Sequence, residues 1–202
     1  MEIICIGHSG FLIKLPKCNL IFDYFTDEKG IITPEVFRKK TFVFVSHRHH
    51  DHYSEKIFEW AQWGEVVYVI DSGCPVNNSE NIIKVCEGEN INIDEINVKT
   101  YGSTDEGVSF LVTADGYTVF HAGDLNDWYW EEESTPSELL EDEENYLNII
   151  RKLAGQKIDA AFIPKDPRLK QHAERGICYF KQIVSPEKII PMHFPGNAGL
   201  IY

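Results

Sequence analysis

Several features are scarce in this chain of 202 residues, and each scarcity removes a class of protein. No apolar run approaches the roughly 18 consecutive residues that a membrane-crossing helix needs. The opening MEIICIGHSG has no basic segment before its apolar stretch and no small-residue cleavage pattern, so no signal peptide is expected. Cys5, Cys18, Cys74, Cys86 and Cys178 are odd in number, scattered, and form no C-x-x-C pair. That argues against a disulfide framework or a zinc knuckle and favours small buried thiols in a reducing, cytoplasmic setting. Positive charge is also scarce: 19 Lys and Arg stand against 32 Asp and Glu, a net charge of −13. With no basic stripe, neither nucleic acid nor an anionic membrane is an expected partner. Nine of the acidic residues lie within 127–144, which reads as a solvated helix face. There is no repeat, linker or low-complexity tract, so residues 1–202 are expected to form one domain; oligomers remain open.

What is present is dense in strands. EIICI, FLIKL and LIFDYF are apolar, β-branched or aromatic and are separated by turn residues. FVFV (42–45) reads as a buried strand, and VVYVI, NIIKV, INVKTY, VSFLVT and TVFHA continue the series. Asp115-Gly116 marks a hairpin turn. SEKIFEWAQWG predicts a helix stopped by Gly64. In the second half SELLEDEENYLNIIRKLAG and QHAERGICYFKQIV predict helices, alternating with strands in IDAAFIP and KIIPMHF. Many strands followed by alternating helices and strands give an α/β layered domain with sheet at its centre.

Four of the eight histidines fall within six residues of SHRHHDHYS, directly after the strand at 42–45. His47 and His49, two apart in extended backbone, point to one side. Asp51 and His52 follow where the chain turns, so more side chains can face the same cavity. Neutral imidazoles with a carboxylate suit zinc and similar ions. The competing reading is a polar loop in which Asp51 or Ser54 caps the helix. His50 is expected to be exposed.

The order of segments resembles the metallo-β-lactamase superfamily. It is most similar there to the branch of metal-dependent hydrolases that includes ascorbate-phosphate lactonase and N-acyl phosphatidylethanolamine phospholipase D. IGHSGFLI with LIFDYF resembles the branch's opening, SHRHHDH its central motif, TVFHAGDLN the segment of a metal-bridging aspartate, and IIPMHF the segment of the last histidine. The resemblance covers almost the whole chain and implies a four-layer αβ/βα sandwich. It also implies that His47 and His49 bind a first metal, that Asp51, His52 and His193 bind a second, and that Asp124 bridges them. Asp23 would orient a ligand through its ring N–H. The ions would be divalent, zinc foremost with manganese or iron as alternatives, one or two in number.

One departure stands out. Related sequences read like T-P-G-H-T where this chain reads TYGSTDEG, with Ser103 at the position of a third histidine of the first metal. A serine hydroxyl is a poor zinc ligand beside imidazole. His121 and His8 are expected behind the ligands or facing substrate. Lys165, with Asp166 beside it, and Arg168 are candidates for a cleft rim holding an anionic group. Trp128, Tyr129 and Trp130 are expected to pack on the acidic helix. The implied chemistry is hydrolysis of a small-molecule ester, lactone or phosphoester by hydroxide generated on the metal, with Asp51 holding the nucleophile. The alternatives are a metal-binding protein of the same fold without catalysis and a di-iron oxidoreductase.

Overall fold

The computed structural model describes residues 1–202. Twelve strands form two six-stranded sheets. The first holds β1 (Glu2–Gly7), β2 (Gly10–Lys14), β3 (Cys18–Phe22), β4 (Lys40–Val45), β5 (Val66–Asp71) and β6 (Ile82–Val85), in that order. The second holds β7 (Asn90–Ile93), β8 (Ile96–Tyr101), β9 (Ser109–Ala114), β10 (Tyr117–His121), β11 (Ala160–Pro164) and β12 (Ile189–Met192), also neighbour to neighbour. In each sheet the early strands pair antiparallel through hairpins and the later ones parallel: β3 to β6 in the first, β10 to β12 in the second. Parallel neighbours require crossovers, and the longer connections carry the helices.

Strand β4 shows why the sheets stack. Phe42 and Phe44 point one way, into the main core with Phe11, Phe22, Phe110 and Phe162. Val43 and Val45 point the other way, into a second cluster with Ile57, Trp60 and Tyr68. A strand buried on both faces reads as a continuous apolar run. The outer face of the second sheet is covered by α1 (Pro136–Arg151) and α2 (Arg175–Ile183), through Tyr146, Ile150 and Phe180. The outer face of the first sheet is covered by two 3-10 segments, Pro34–Arg38 and Glu55–Gln62. The order is helical layer, sheet, sheet, helical layer, as the sequence implied.

Two elements differ from the sequence reading. The segment expected as a helix ending at Gly64 is 3-10, and the glycine serves packing: a Cβ there would lie 2.1 Å from the Phe37 carbonyl oxygen. Strand β7, NINI, was not anticipated, because alternation with asparagine leaves it exposed on one side. Cys5, Cys18 and Cys74 are buried thiols as expected, whereas Cys86 and Cys178 are exposed.

Beyond β12 the chain returns to the first strand. Cys5 N–H donates to the Leu200 carbonyl (2.9 Å), Gly199 N–H to Cys5 (2.8 Å) and Tyr202 N–H to Ile3 (2.9 Å). The side chain of Asn197 accepts from His8 N–H and donates to the His8 carbonyl, both at 2.8 Å. The first turn and the last segment are thus clamped together.

Candidate metal centre

The strands of both sheets run out at one edge, and the loops beyond them meet there. Asp23 follows β3, residues 46–52 follow β4, Asp124 follows β10, Asp166 follows β11 and His193 follows β12. Parallel strands end on the same side, so side chains distant in sequence converge. His8, Asp23 and His193 have positive φ values (54°, 41° and 66°), a conformation that costs a non-glycine residue energy and that recurs at functional sites.

Asp23 anchors the β4 end. Its buried carboxylate accepts from Ser46 N–H (2.8 Å), the Ser46 hydroxyl (2.6 Å) and His52 Nδ1 (2.7 Å). The Ser46 hydroxyl, having donated to Asp23, receives His47 Nδ1 at 2.9 Å. On the far side His193 Nδ1 donates to Asp166 at 3.1 Å. In all three rings the Nδ1 proton is held by an acceptor, which makes Nε2 the nitrogen that faces the cleft.

Those Nε2 atoms aim at Asp124. His52 Nε2 lies 3.0 Å from Asp124 Oδ1, His193 Nε2 3.3 Å from the same oxygen, and His47 Nε2 3.4 Å from Oδ2. Close as they are, none is aligned as a hydrogen bond: the three nitrogens and Asp124 Oδ1 are all buried without a partner. Buried polar atoms are almost always satisfied, so four orphans pointing at one place call for a ligand. Asp51 lies about the same centre, its Oδ2 4.0 Å from His52 Nε2, 4.0 Å from His193 Nε2 and 3.9 Å from His8 Nε2. Three groups have ligand atoms within 4.8 Å of one another: His8, Asp51, His52 and His193; His47, His52 and Asp124; His49, Asp105 and Asp124.

The electrostatics follow from burial against pairing. Burial alone would raise the Asp124 pKa, but His193, His47 and His52 outweigh it and hold the carboxyl far below the usual range. Burial would lower His52, yet Asp124 and Asp23 push it up to about 10. His193 behaves likewise, with burial overcome by Asp124 and Asp166, and reaches about 9. Burial and the neighbouring His193 and His52 bring His8 down to about 4. Strongly perturbed groups of both signs in one cleft make it the candidate functional site.

The structure thus gathers His47, His49, Asp51, His52, Asp124, His193 and His8, with Asp23 behind them. His50 is exposed, 97% at its side chain. His121 stays outside the cluster: its Nε2 donates to the Ser9 carbonyl (2.9 Å), its Nδ1 accepts from Gly123 N–H (3.1 Å), and the ring stacks on Phe22. With both nitrogens engaged it has no lone pair to offer an ion, and it stands beside Asp23, 3.7 Å away. Ser103 is no ligand either; its hydroxyl accepts from Asp105 N–H (3.2 Å). Lys165 pairs with Glu174 and is not among the residues lining the pocket of Asp124 and Arg168, which corrects its expected place on that rim; it lines a separate pocket with Pro167, Lys170 and Phe194. Arg168 does line that cleft, with Asp124, Trp128 and Trp130. Its guanidinium packs over Trp130 (5.4 Å) and forks onto the Asp166 carboxylate (2.5–3.0 Å). Trp128 turns to the cleft rather than to the acidic helix. It packs on Leu169 and Ala173, meets His193 edge-on, and donates Nε1–H to the Asp124 carbonyl (3.0 Å). Within the acidic run Asp127 is fully buried on Arg175 (2.8 Å), not solvated.

Sequence reasoning missed two positions. Asp166 was expected at a rim, yet it is the acceptor for His193; the signal was its place right after a buried strand parallel to that of His193. Asp105, two residues after Ser103, carries no local signal, because only the fold brings it to His49 and Asp124.

Two mixed sheets edged by a histidine and aspartate cluster define a metallo-hydrolase-like architecture. Residues 2–138 match the family model described as the Beta-lactamase superfamily domain, and the chain belongs to that superfamily. A UPF0173 metal-dependent hydrolase of Desulforamulus reducens is 22% identical over 96% of this chain and 84% of its own length. Among solved structures, Igni18, a metallo hydrolase of the hyperthermophilic archaeon Ignicoccus hospitalis, superposes with a TM-score of 0.66 at 16% identity, over 96% of this chain and 82% of its own. CmlA, a diiron β-hydroxylase of Streptomyces venezuelae, shares the fold at a TM-score of 0.60 and 11% identity, over 96% of this chain and 45% of its own. No helix is long and apolar enough to cross a membrane.

Proposed function

We propose that this protein is a metal-dependent hydrolase acting on a small-molecule ester, lactone or phosphoester. The observation that carries the reading is the set of four buried, unpartnered atoms, His47 Nε2, His52 Nε2, His193 Nε2 and Asp124 Oδ1. Their donor chemistry, imidazole nitrogen with carboxylate oxygen, fits zinc, manganese or iron. Asp51, His52 and His193 would hold one ion, His47 and His49 another, and Asp124 would lie between them. A divalent ion bound there polarises a substrate oxygen and brings the pKa of a water to about 7.

The chain's own groups do the rest. Asp23 and Asp166 hold the Nδ1 protons of His52 and His193, so Nε2 is the nitrogen each ring would present to an ion once its own proton has left. Asp51 stays ionised at neutral pH: burial opposes this, but His52 and His8 outweigh it. Its carboxylate is placed to orient an attacking water and accept its proton. Arg168, backed by Trp130, offers N–H donors at the cleft wall to an anionic substrate group. Trp128 shields the Asp124 side from solvent.

Asp51→Ala and His193→Ala should each abolish metal-dependent turnover in a screen of lactones, phosphodiesters and carboxyl esters with zinc, manganese or iron. Unchanged turnover in either variant overturns the assignment. Metal uptake without turnover on any substrate supports a binding protein instead, and redox activity with two irons supports an oxidoreductase.

A further inference from the structure

The structure offers a different residue where the first ion lacks its third histidine. The loop Gly102–Gly107 lies across the His47 side of the cluster and is pinned at both ends. Thr104 donates its hydroxyl to the Asn126 carbonyl (2.6 Å) and accepts from Asn126 N–H (3.0 Å), tying the loop to the segment after Asp124. At the other end Val108 N–H donates to the Ser46 carbonyl (2.9 Å). Gly107, at φ +74°, passes so close that a Cβ there would lie 2.0 Å from the Ser46 oxygen. Between these anchors Asp105 faces the same cleft as Asp124.

Asp105, His49 and Asp124 bring ligand atoms within 4.8 Å of one another. Two ligands on opposite sides of an ion, each about 2.1 Å from it, lie about 4.2 Å apart, so these three stand close to a ligating arrangement; His47, which groups with His52 and Asp124, adjoins them through the shared Asp124. Independently, His47 Nε2 is fully buried, unpartnered and 3.4 Å from Asp124 Oδ2. That orphan, rather than the carboxylates, says that something is to be bound on this side. Glu106 is the competing carboxylate, 3.5 Å from His49 Nε2, but both its oxygens are held by Arg48 at 2.7 and 3.0 Å.

We propose that Asp105 replaces the missing histidine as the third side-chain ligand of the first ion, beside His47 and His49, with Asp124 shared between the two ions. This rests on the reading of the cluster as a metal centre. The exchange of an imidazole for a carboxylate adds a negative charge and a hard oxygen donor. Oxygen-rich sets favour manganese or ferrous ions over zinc relative to a three-histidine set. The exposed side of Asp105 leaves the ion open to solvent and substrate, as a catalytic position requires.

The test is metal counting by equilibrium dialysis and elemental analysis, with Mn²⁺ and with Zn²⁺, on the full chain and on Asp105→Ala, Asp105→His and Glu106→Ala. The wild-type chain takes up two Mn²⁺. Asp105→Ala takes up one, its weaker site falling more than about 100-fold, beyond the range for loss of an outer partner. Asp105→His keeps two sites and shifts its preference towards Zn²⁺; Glu106→Ala binds like the wild type. Because Asp105 is exposed, the metal-free melting temperature of Asp105→Ala should equal that of the wild type, which separates ligation from folding. Two undiminished sites in Asp105→Ala overturn the inference, as does loss of a site in Glu106→Ala alone. A wild-type chain holding one ion overturns it too while leaving the hydrolase reading intact; one holding none overturns both.

Discussion

His52 and His193 are, residue by residue, both displaced upward by their carboxylate partners, and the displacement predicts how metal uptake depends on pH. Their folded values, about 10 and about 9, lie above the ordinary 6.5. A raised value means that pairing with Asp124, Asp23 and Asp166 stabilises the metal-free fold fully below pH 6.5, and that this contribution fades as pH rises through 9 to 10. An ion needs both rings neutral, so binding at pH 7 must release their protons, roughly two per chain. Calorimetry in buffers of different ionisation heat should show that release at pH 7 and show it vanishing above pH 10. The metal-free melting temperature should fall across the same window. A release of zero at pH 7 would contradict the pairing described here. Most of this cluster could be read in the sequence, since H-x-H-x-D-H is local. Asp166 and Asp105 were not so readable: each gains its meaning from a neighbour at least 19 positions away, which no local pattern encodes.

Among the elements, the loop Gly102–Gly107 and helix α1 make opposite predictions. Gly107→Ala meets both a left-handed backbone and the Ser46 carbonyl, and should cost about 2–4 kcal/mol while lifting the loop from His47 and weakening metal uptake. Thr135→Ala removes a capping box with Glu138 at the start of α1, where neither residue belongs to the cluster, and should cost about 1 kcal/mol with metal uptake unchanged. Chemical denaturation beside metal titration checks both; equal effects on metal would show that general stability alone governs binding. Every strand but β7, and both α-helices, were legible because their hydrophobic periodicity is written in neighbouring residues. The 3-10 form of Glu55–Gln62 was not, because the close approach of Gly64 to Phe37 is a tertiary demand.

For the whole molecule, the decisive feature is the clamp between the first turn and the last segment. Asn197→Ala deletes both 2.8 Å bonds to the His8 backbone. Loss of partners for such groups costs about 1–3 kcal/mol. It should loosen the ion beside Asp51, His52 and His193 and leave the one beside His47, His49 and Asp105 in place. Sequential metal titration of the variant, one site weakened and one kept, would bear this out; both sites weakened alike would refute it.

The same clamp bears on when the centre can be filled during synthesis. The groups proposed for the first ion all lie between His47 and Asp124, so they are made before roughly the last two-fifths of the chain. The second position needs His193 and the segment that folds back on His8. Its ion can be enclosed only after residue 197 has emerged, so the two metals would be acquired in a fixed order set by the direction of translation.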